Sequence, residues 1–267
     1  KHKACDRDRV QLRISTYADL YVYIFFHAAR FLQPGGRMGI ITSNAWLDVN
    51  YGYELQRFFC ETFKIVAILE SRCEPWFTEA SVNTVFTIIE RCEDQTERDR
   101  HLVKFVKVKK RLAELVPGDP QLQAVERWQR LRRLTERIEA AGRKDAKTVP
   151  LGVVTEEDDD FRIRVCRQGE LREELEAAKK TVKWGRFLRA PGAYFDMLKK
   201  GRFCLLKEVA VPKRGGTTRI NEFYHVTPEV AEQFGIEDEY LLPLIKSPKD
   251  STRIPITVGE IELRIFV

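Results

Sequence analysis

Between residues 17 and 91 the apolar positions follow two rhythms. Long stretches with a helical repeat alternate with short runs that are apolar at nearly every position, the pattern of helices laid on buried strands. YADLYVYIFFHAARFL predicts a buried helix with Leu20, Tyr23, Ile24, His27, Ala28 and Phe31 on its inward face. Pro34, Gly35 and Gly36 then stop that helix and turn the chain. The run Met38 to Thr42 predicts a strand covered on both faces, as in a parallel sheet between helices. YELQRFFCETF reads as a second amphipathic helix, KIVAILES as a second buried strand and SVNTVFTIIER as a third. Helix, strand, helix, strand, strand is half of a layered α/β architecture.

From residue 92 to about 180 the rhythm loosens. HLVKFVKVKK predicts a strand with lysines at 104, 107 and 109, and Pro117-Gly118-Asp119-Pro120 breaks the chain. QLQAVERWQRLRRLTERIEA reads as a solvated amphipathic helix and TEEDDD as a loop. In FRIRVCRQGEL, Phe161, Ile163 and Val165 alternate with Arg162 and Arg164, a half-exposed strand. This stretch reads as a connector with little chemistry of its own. Beyond Thr181 the pattern gives a helix over GAYFDMLKKG and short strands around Leu205 to Val211 and Phe223 to Val226.

Composition narrows the function classes. With 267 residues and 31.2 kDa the chain suits one large or two modest domains. No stretch of about 18 apolar residues occurs, which excludes a membrane-spanning helix from the expectation. The first residues, KHKACDRDRV, carry no secretory h-region. Six dispersed cysteines without a CxxC pair argue against a zinc module or disulfide framework, and for reduced thiols in the cytoplasm. His2, His27, His101 and His225 stand apart from one another, so no metal site is expected, and His27 reads as a core residue. The glycines of PGGRMG follow a helix and precede a strand, the reverse of a phosphate cradle, and read as a plain turn.

Charge is uneven. Between Thr181 and Ile220 lie Lys183, Arg186, Arg189, Lys199, Lys200, Arg202, Lys207, Lys213, Arg214 and Arg219, opposed only by Asp196 and Glu208. That window therefore carries +8 of a net +6, and the remainder −2. Such a window suits a polyanion, although a solvated basic face has the same composition.

Three phrases, ADLYVYIFFHAARFLQPGGRMGIITSNAWL, YGYELQRFFCETFKIVAILES and EPWFTEASVNTVFTIIER, occur in an order that resembles the second half of a gamma-class adenine-specific DNA methyltransferase domain, of the Eco57I-like and TaqI-like restriction–modification family. The resemblance covers about residues 17–91. A further run, KWGRFLRAPGAYFDMLKKG and then LKEVAVPKRGGTTRINEFYHV, resembles the start of the target recognition domain of that family. The family's glycine-rich loop for S-adenosylmethionine and its Asn-Pro-Pro-Tyr motif have no counterpart, and no two prolines are adjacent. In the family that motif aims the weakly nucleophilic adenine amine at the sulfonium methyl, a positioning role. The resemblance thus implies an upstream half, in the same chain or a partner subunit, and a chain that alone neither binds S-adenosylmethionine nor transfers methyl groups.

A flipped adenine must stack on something once it leaves the duplex. The family's aromatic on the loop before the last hairpin strand corresponds to Phe77 in PWFTEASVNT; without the family, Phe77 and Trp76 would read as core aromatics. Trp46 corresponds to a family aromatic and is assigned to packing near the pocket. In the recognition segment, Lys213, Arg214, Arg219 and Asn221 surround the turn Gly215-Gly216, where bare backbone and cations suit a phosphate. Asn221 could read a base edge, or it could position a phosphate or serve a structural role.

The expected fold is α/β: the C-terminal half of a doubly wound, Rossmann-like methyltransferase sheet over 1–91, an α+β connector over 92–180, and the start of a target recognition domain over 181–267. Its expected partners are double-stranded DNA and the missing methyltransferase half, within a restriction–modification or phage-defence system and away from membranes. The rival expectations are a non-catalytic DNA-binding or specificity subunit, and a degenerate scaffold without a DNA role.

Overall fold

Helix α1 (Leu20–Ala28) is apolar at almost every position, so its sequence sets no phase and packing selects the buried face. In the computed structural model Val22, Phe25, Phe26 and the following Ala29 turn inward, whereas Leu20, Ile24, His27 and Phe31 face solvent. The inward face is thus opposite to the expected one, and His27 is not a core residue. The residues described are 14–77, 82–119, 121, 123–142, 154–201, 204, 206–211, 220–247, 249 and 257–266. Among them no helix is long and apolar enough to cross a membrane.

Gly35, at φ +78°, makes the turn from α1 into strand β1 (Arg37–Ser43), and its N–H donates to the Arg91 carbonyl at 2.8 Å. Helix α2 (Gly52–Thr62) leads into β2 (Phe63–Ser71), and β3 (Thr84–Arg91) is the next strand among the described residues. With no helix between them among the described residues, β3 returns antiparallel and inserts between β1 and β2. Helix α3 (Gln95–Arg100) precedes β4 (Leu102–Val108), which runs parallel to β2. After α4 (Leu112–Leu115) and α5 (Ala124–Ala140), β5 (Val154–Glu157) and β6 (Phe161–Arg167) complete a six-stranded mixed sheet of order β1-β3-β2-β4-β6-β5. The parallel sheet expected from the apolar runs is therefore corrected: β2–β4 is its one parallel pair among the described residues. Strand β1 is covered on one face only, with Ile41 on the open face 41% exposed.

The sheet continues beyond residue 92. Strands β4, β6 and β5 continue the sheet outward from β2, and part of the acidic run expected as loop, Thr155 to Glu157, is paired with β6. The half-exposed reading of β6 also fails at Arg164, which is 1% exposed. One face of the sheet carries α1, α2, α6 (Gln168–Ala178) and α7 (Gly185–Arg189) over a core that includes Phe25, Trp46, Phe59, Phe105 and Trp184. Trp46 is fully buried, edge-on to Phe59 and Trp184 at centroid distances of 5.4 and 6.0 Å. The other face packs Val106, Phe161, Ile163 and Val165 against Leu134 and Ile138 of α5, a helix with no fully buried residue.

The chain forms two compact units, residues 1–202 and residues 203–267. The first unit closes with α8 (Gly192–Lys199). The second contains α9 (Leu206–Val209), α10 (Asn221–Tyr224), α11 (Pro228–Phe234) and a small antiparallel sheet of β7 (His225–Val226), β9 (Arg264–Phe266) and β8 (Leu241–Pro243) in that order. Helices thus replace most of the strands expected around 205–211 and 223–226, runs too short for either period to declare itself.

Candidate nucleic-acid interface

Strands β1, β2 and β4 point the same way, so Ser43, Ser71 and Val108 end at one rim of the sheet. In open α/β sheets, ligands bind in the crevice outside the carboxyl ends of such strands. Glu70, 4% exposed near the end of β2, is the hub of this rim. It accepts from Asn44 Nδ2 at 2.8 Å, Lys107 Nζ at 2.6 Å and Arg189 Nη2 at 2.9 Å. Burial alone would push its pKa up, but these bonds, Arg189's first, hold it below the usual carboxylate value. Arg189 also pairs with Asp48 at 2.6 Å, which fastens α7 to the rim. Gly185 makes that approach possible: a Cβ there would lie 2.3 Å from Asp48 Oδ2.

Arg164 braces α7 from below. Its guanidinium donates to the carbonyls of Phe187 at 2.9 Å and Ala190 at 2.6 Å, and lies 4.6 Å from the Phe195 ring centroid. A cation at a helix C-terminus meets the negative end of the dipole. Desolvation lowers its pKa to about 10, leaving it charged at neutral pH.

The loop after β2 begins with an ordered turn. Ser71 Oγ accepts from the N–H groups of Cys73 and Glu74 at 3.1 and 3.0 Å, and Arg72 N donates to the Val108 carbonyl at 2.8 Å. Trp76 packs against the lower core, and Phe77 follows it at 45% exposure. Beside this turn lies a cleft of about 370 Å³ lined by Arg72, Lys107, Lys109, Glu157, Arg162, Arg189 and Pro191.

The expected basic window divides on inspection. Lys183 donates to the Asp48 carbonyl, Arg186 pairs with Glu174, and Arg189 with Glu70 and Asp48. These three cations hold the fold together, which corrects their assignment to a polyanion surface. Lys213, Arg214, Gly215, Gly216 and Arg219 lie outside the described residues. Asn221 is exposed at the start of α10, in the second unit. The rim residues Glu70, Lys107, Arg72 and Arg162 were not singled out by sequence reasoning; the one available signal was a carboxylate near the end of the otherwise apolar run KIVAILES.

Residues 3–77 match the Eco57I restriction-modification methylase family. No curated protein matches the chain. Among solved structures, one similar to it is that of the type IIG restriction endonuclease BpuSI, with a TM-score of 0.46 and 11% identity over 95% of this chain. Another, from work on complex assembly and conformational transition of the type I R-M system, has a TM-score of 0.35 and 14% identity over 71% of this chain. The chain spans 27% of the length of the first and 37% of the second.

Proposed function

We propose that this chain is part of a site-specific DNA methyltransferase of a restriction–modification or phage-defence system, acting on the exocyclic amine of adenine. The observation that carries the reading is the family match over residues 3–77, which ends at Phe77. Support comes from the position of that residue: a half-exposed aromatic on a loop at the rim where the parallel-running strands end. An adenine turned out of the duplex would stack on the Phe77 ring, held there while its amine is presented to the methyl donor. In this reading the second unit, with Lys213, Arg214, Gly215, Gly216, Arg219 and Asn221, contacts the duplex as the start of a target recognition domain.

The described residues do not fit S-adenosylmethionine. The paired glycines Gly35 and Gly36 lie before β1, at the rim opposite Phe77, and both their N–H groups are engaged within the fold. No step through the donor is therefore assigned to these residues; the donor site belongs to an upstream half, in the same chain or a partner subunit.

The test is a paired measurement on the protein together with that half. Phe77→Ala is expected to slow single-turnover methylation by the worth of one base–aromatic stack, about 1–3 kcal/mol. Duplex affinity and melting temperature should hold, and Phe77→Trp should retain more activity because it keeps a π-face. A destabilised Phe77→Ala protein with an unchanged rate per folded molecule removes Phe77 from the site. Absence of adenine methylation in the assembled wild-type protein overturns the whole reading.

A further inference from the structure

The cleft beside Arg72 has no part in the stacking role given to Phe77, yet its walls hold five cationic side chains and one carboxylate. Three carboxylates account for three of the cations: Glu70 for Lys107, Glu157 for Lys109, and Asp48 with Glu70 for Arg189. Among the described residues neither Arg72 nor Arg162 makes a salt bridge within 4 Å, although the Glu157 carboxylate, opposite Arg162 in the β5–β6 register, acts on Arg162 through its charge. Arg72 is exposed, and among the described residues only its backbone N–H is engaged. Arg162 donates one Nη2 hydrogen bond to the Leu188 carbonyl, and its Nε is buried without a partner.

The arrangement is linear. Arg72 follows β2, Lys107 lies near the end of β4 with Lys109 just beyond it, and Arg162 lies near the start of β6, three neighbouring strands of one sheet. Neighbouring strands lie about 4.8 Å apart, so these cations are spread over roughly 10 Å. One strand of a duplex carries a negative charge per about 3.4 Å of the axis, so a row of that length faces about two or three phosphates of one backbone. Guanidiniums suit phosphate through their forked donors.

We infer that this cleft is a phosphodiester-binding site that holds the backbone of duplex DNA beside the loop bearing Phe77. The assignment rests on the proposed function for its substrate class, and it moves part of the phosphate contact from the turn at 213–219 to the sheet rim. Glu157 acts as a gate on charge: its carboxylate occupies Lys109 at 2.7 Å and competes with phosphate for it.

Fluorescence anisotropy of a labelled mixed-sequence duplex, titrated with the full chain over a series of salt concentrations, tests this. The double variant Arg72→Ala, Lys109→Ala should lower the slope of log affinity against log salt by about two, at about 0.9 per phosphate contact. Glu157→Gln should move affinity the other way, tightening binding severalfold at low salt. Should the double variant not fold, judged by melting temperature, Glu157→Gln alone decides, and unchanged affinity overturns the inference. A wild-type chain that binds the duplex with a slope untouched by the double substitution also overturns the cleft and leaves the methyltransferase reading standing. Inorganic phosphate that saturates the cleft while duplex binding ignores all three substitutions assigns it to a free anion instead. A wild-type chain without salt-dependent duplex binding overturns both readings.

Discussion

Ile65 sits where the register of β2 against β3 jumps to Ala67, a bulge that leaves backbone groups to be satisfied by side chains. Gln168, fully buried, accepts from Ile65 N at 2.9 Å and donates to the Phe63 carbonyl at 2.6 Å, while His101 Nε2 meets the Ile65 carbonyl at 3.1 Å. Burial, aided by the charge of Lys104, pulls the His101 pKa down to about 4. His101 is therefore neutral in the folded chain at pH 7, while the unfolded chain takes up a proton near 6.5. The contribution of this residue to stability is complete above pH 6.5 and is lost as pH falls toward 4, by on the order of 3 kcal/mol. Denaturant titrations at a series of pH values should show a His101→Gln chain with a shallower fall across that window; an equal fall in both proteins would refute the burial account. In the sequence His101 was one isolated histidine among four. Nothing local marks the bulge it serves.

At the level of elements, α7 is held to the sheet by charge as well as by the buried side chains of Phe187 and Leu188. Glu70 bonds Lys107 and Arg189 across 37 and 119 residues of sequence. Glu70→Gln keeps the shape and removes the charge, leaving Lys107 without its carboxylate and Arg189 with Asp48 alone. Removing one member of a buried ion pair costs about 3–5 kcal/mol, and partial exposure of Arg189 puts this case near or below the lower figure. Because the folded carboxylate pKa is depressed, the wild-type advantage is present above pH 4.5 and disappears as pH falls through the lower folded value. Thermal melts of the two proteins at neutral and acid pH should therefore converge on acidification, and a constant gap would exclude the charge as its source. Gly185→Ala probes the same joint by steric means: its Cβ would collide with the Asp48 carboxylate and loosen α7. Helix and strand positions from 17 to 91 were legible because burial imposes a period on them. The role of Arg164 was not, since an arginine alternating with apolar residues looks solvent-facing until α7 supplies carbonyls above it.

For the molecule as a whole, β1 is the element with unfinished contacts. Among the described residues it pairs only with β3, and Ile41 on its open face is 41% exposed. A strand edge with unpaired backbone groups and an apolar flank is prone to recruit another strand. The isolated chain is expected to self-associate along Met38 to Ser43, and Ile41→Lys should shift it toward monomer in light-scattering measurements. A monodisperse wild-type monomer whose β1 amides exchange rapidly with solvent would contradict this. The sequence by itself determined the alternation of helices and strands to residue 91 and the turn at Gly35, because these follow from local period and backbone sterics; Phe77 stood out only through a family resemblance. Only the tertiary structure decided which face of α1 is buried, that β3 inserts antiparallel, that the acidic run joins the sheet, and which cations are taken up by Glu70, Asp48 and Glu157. Each of those outcomes depends on groups far apart in sequence that meet only when the sheet closes.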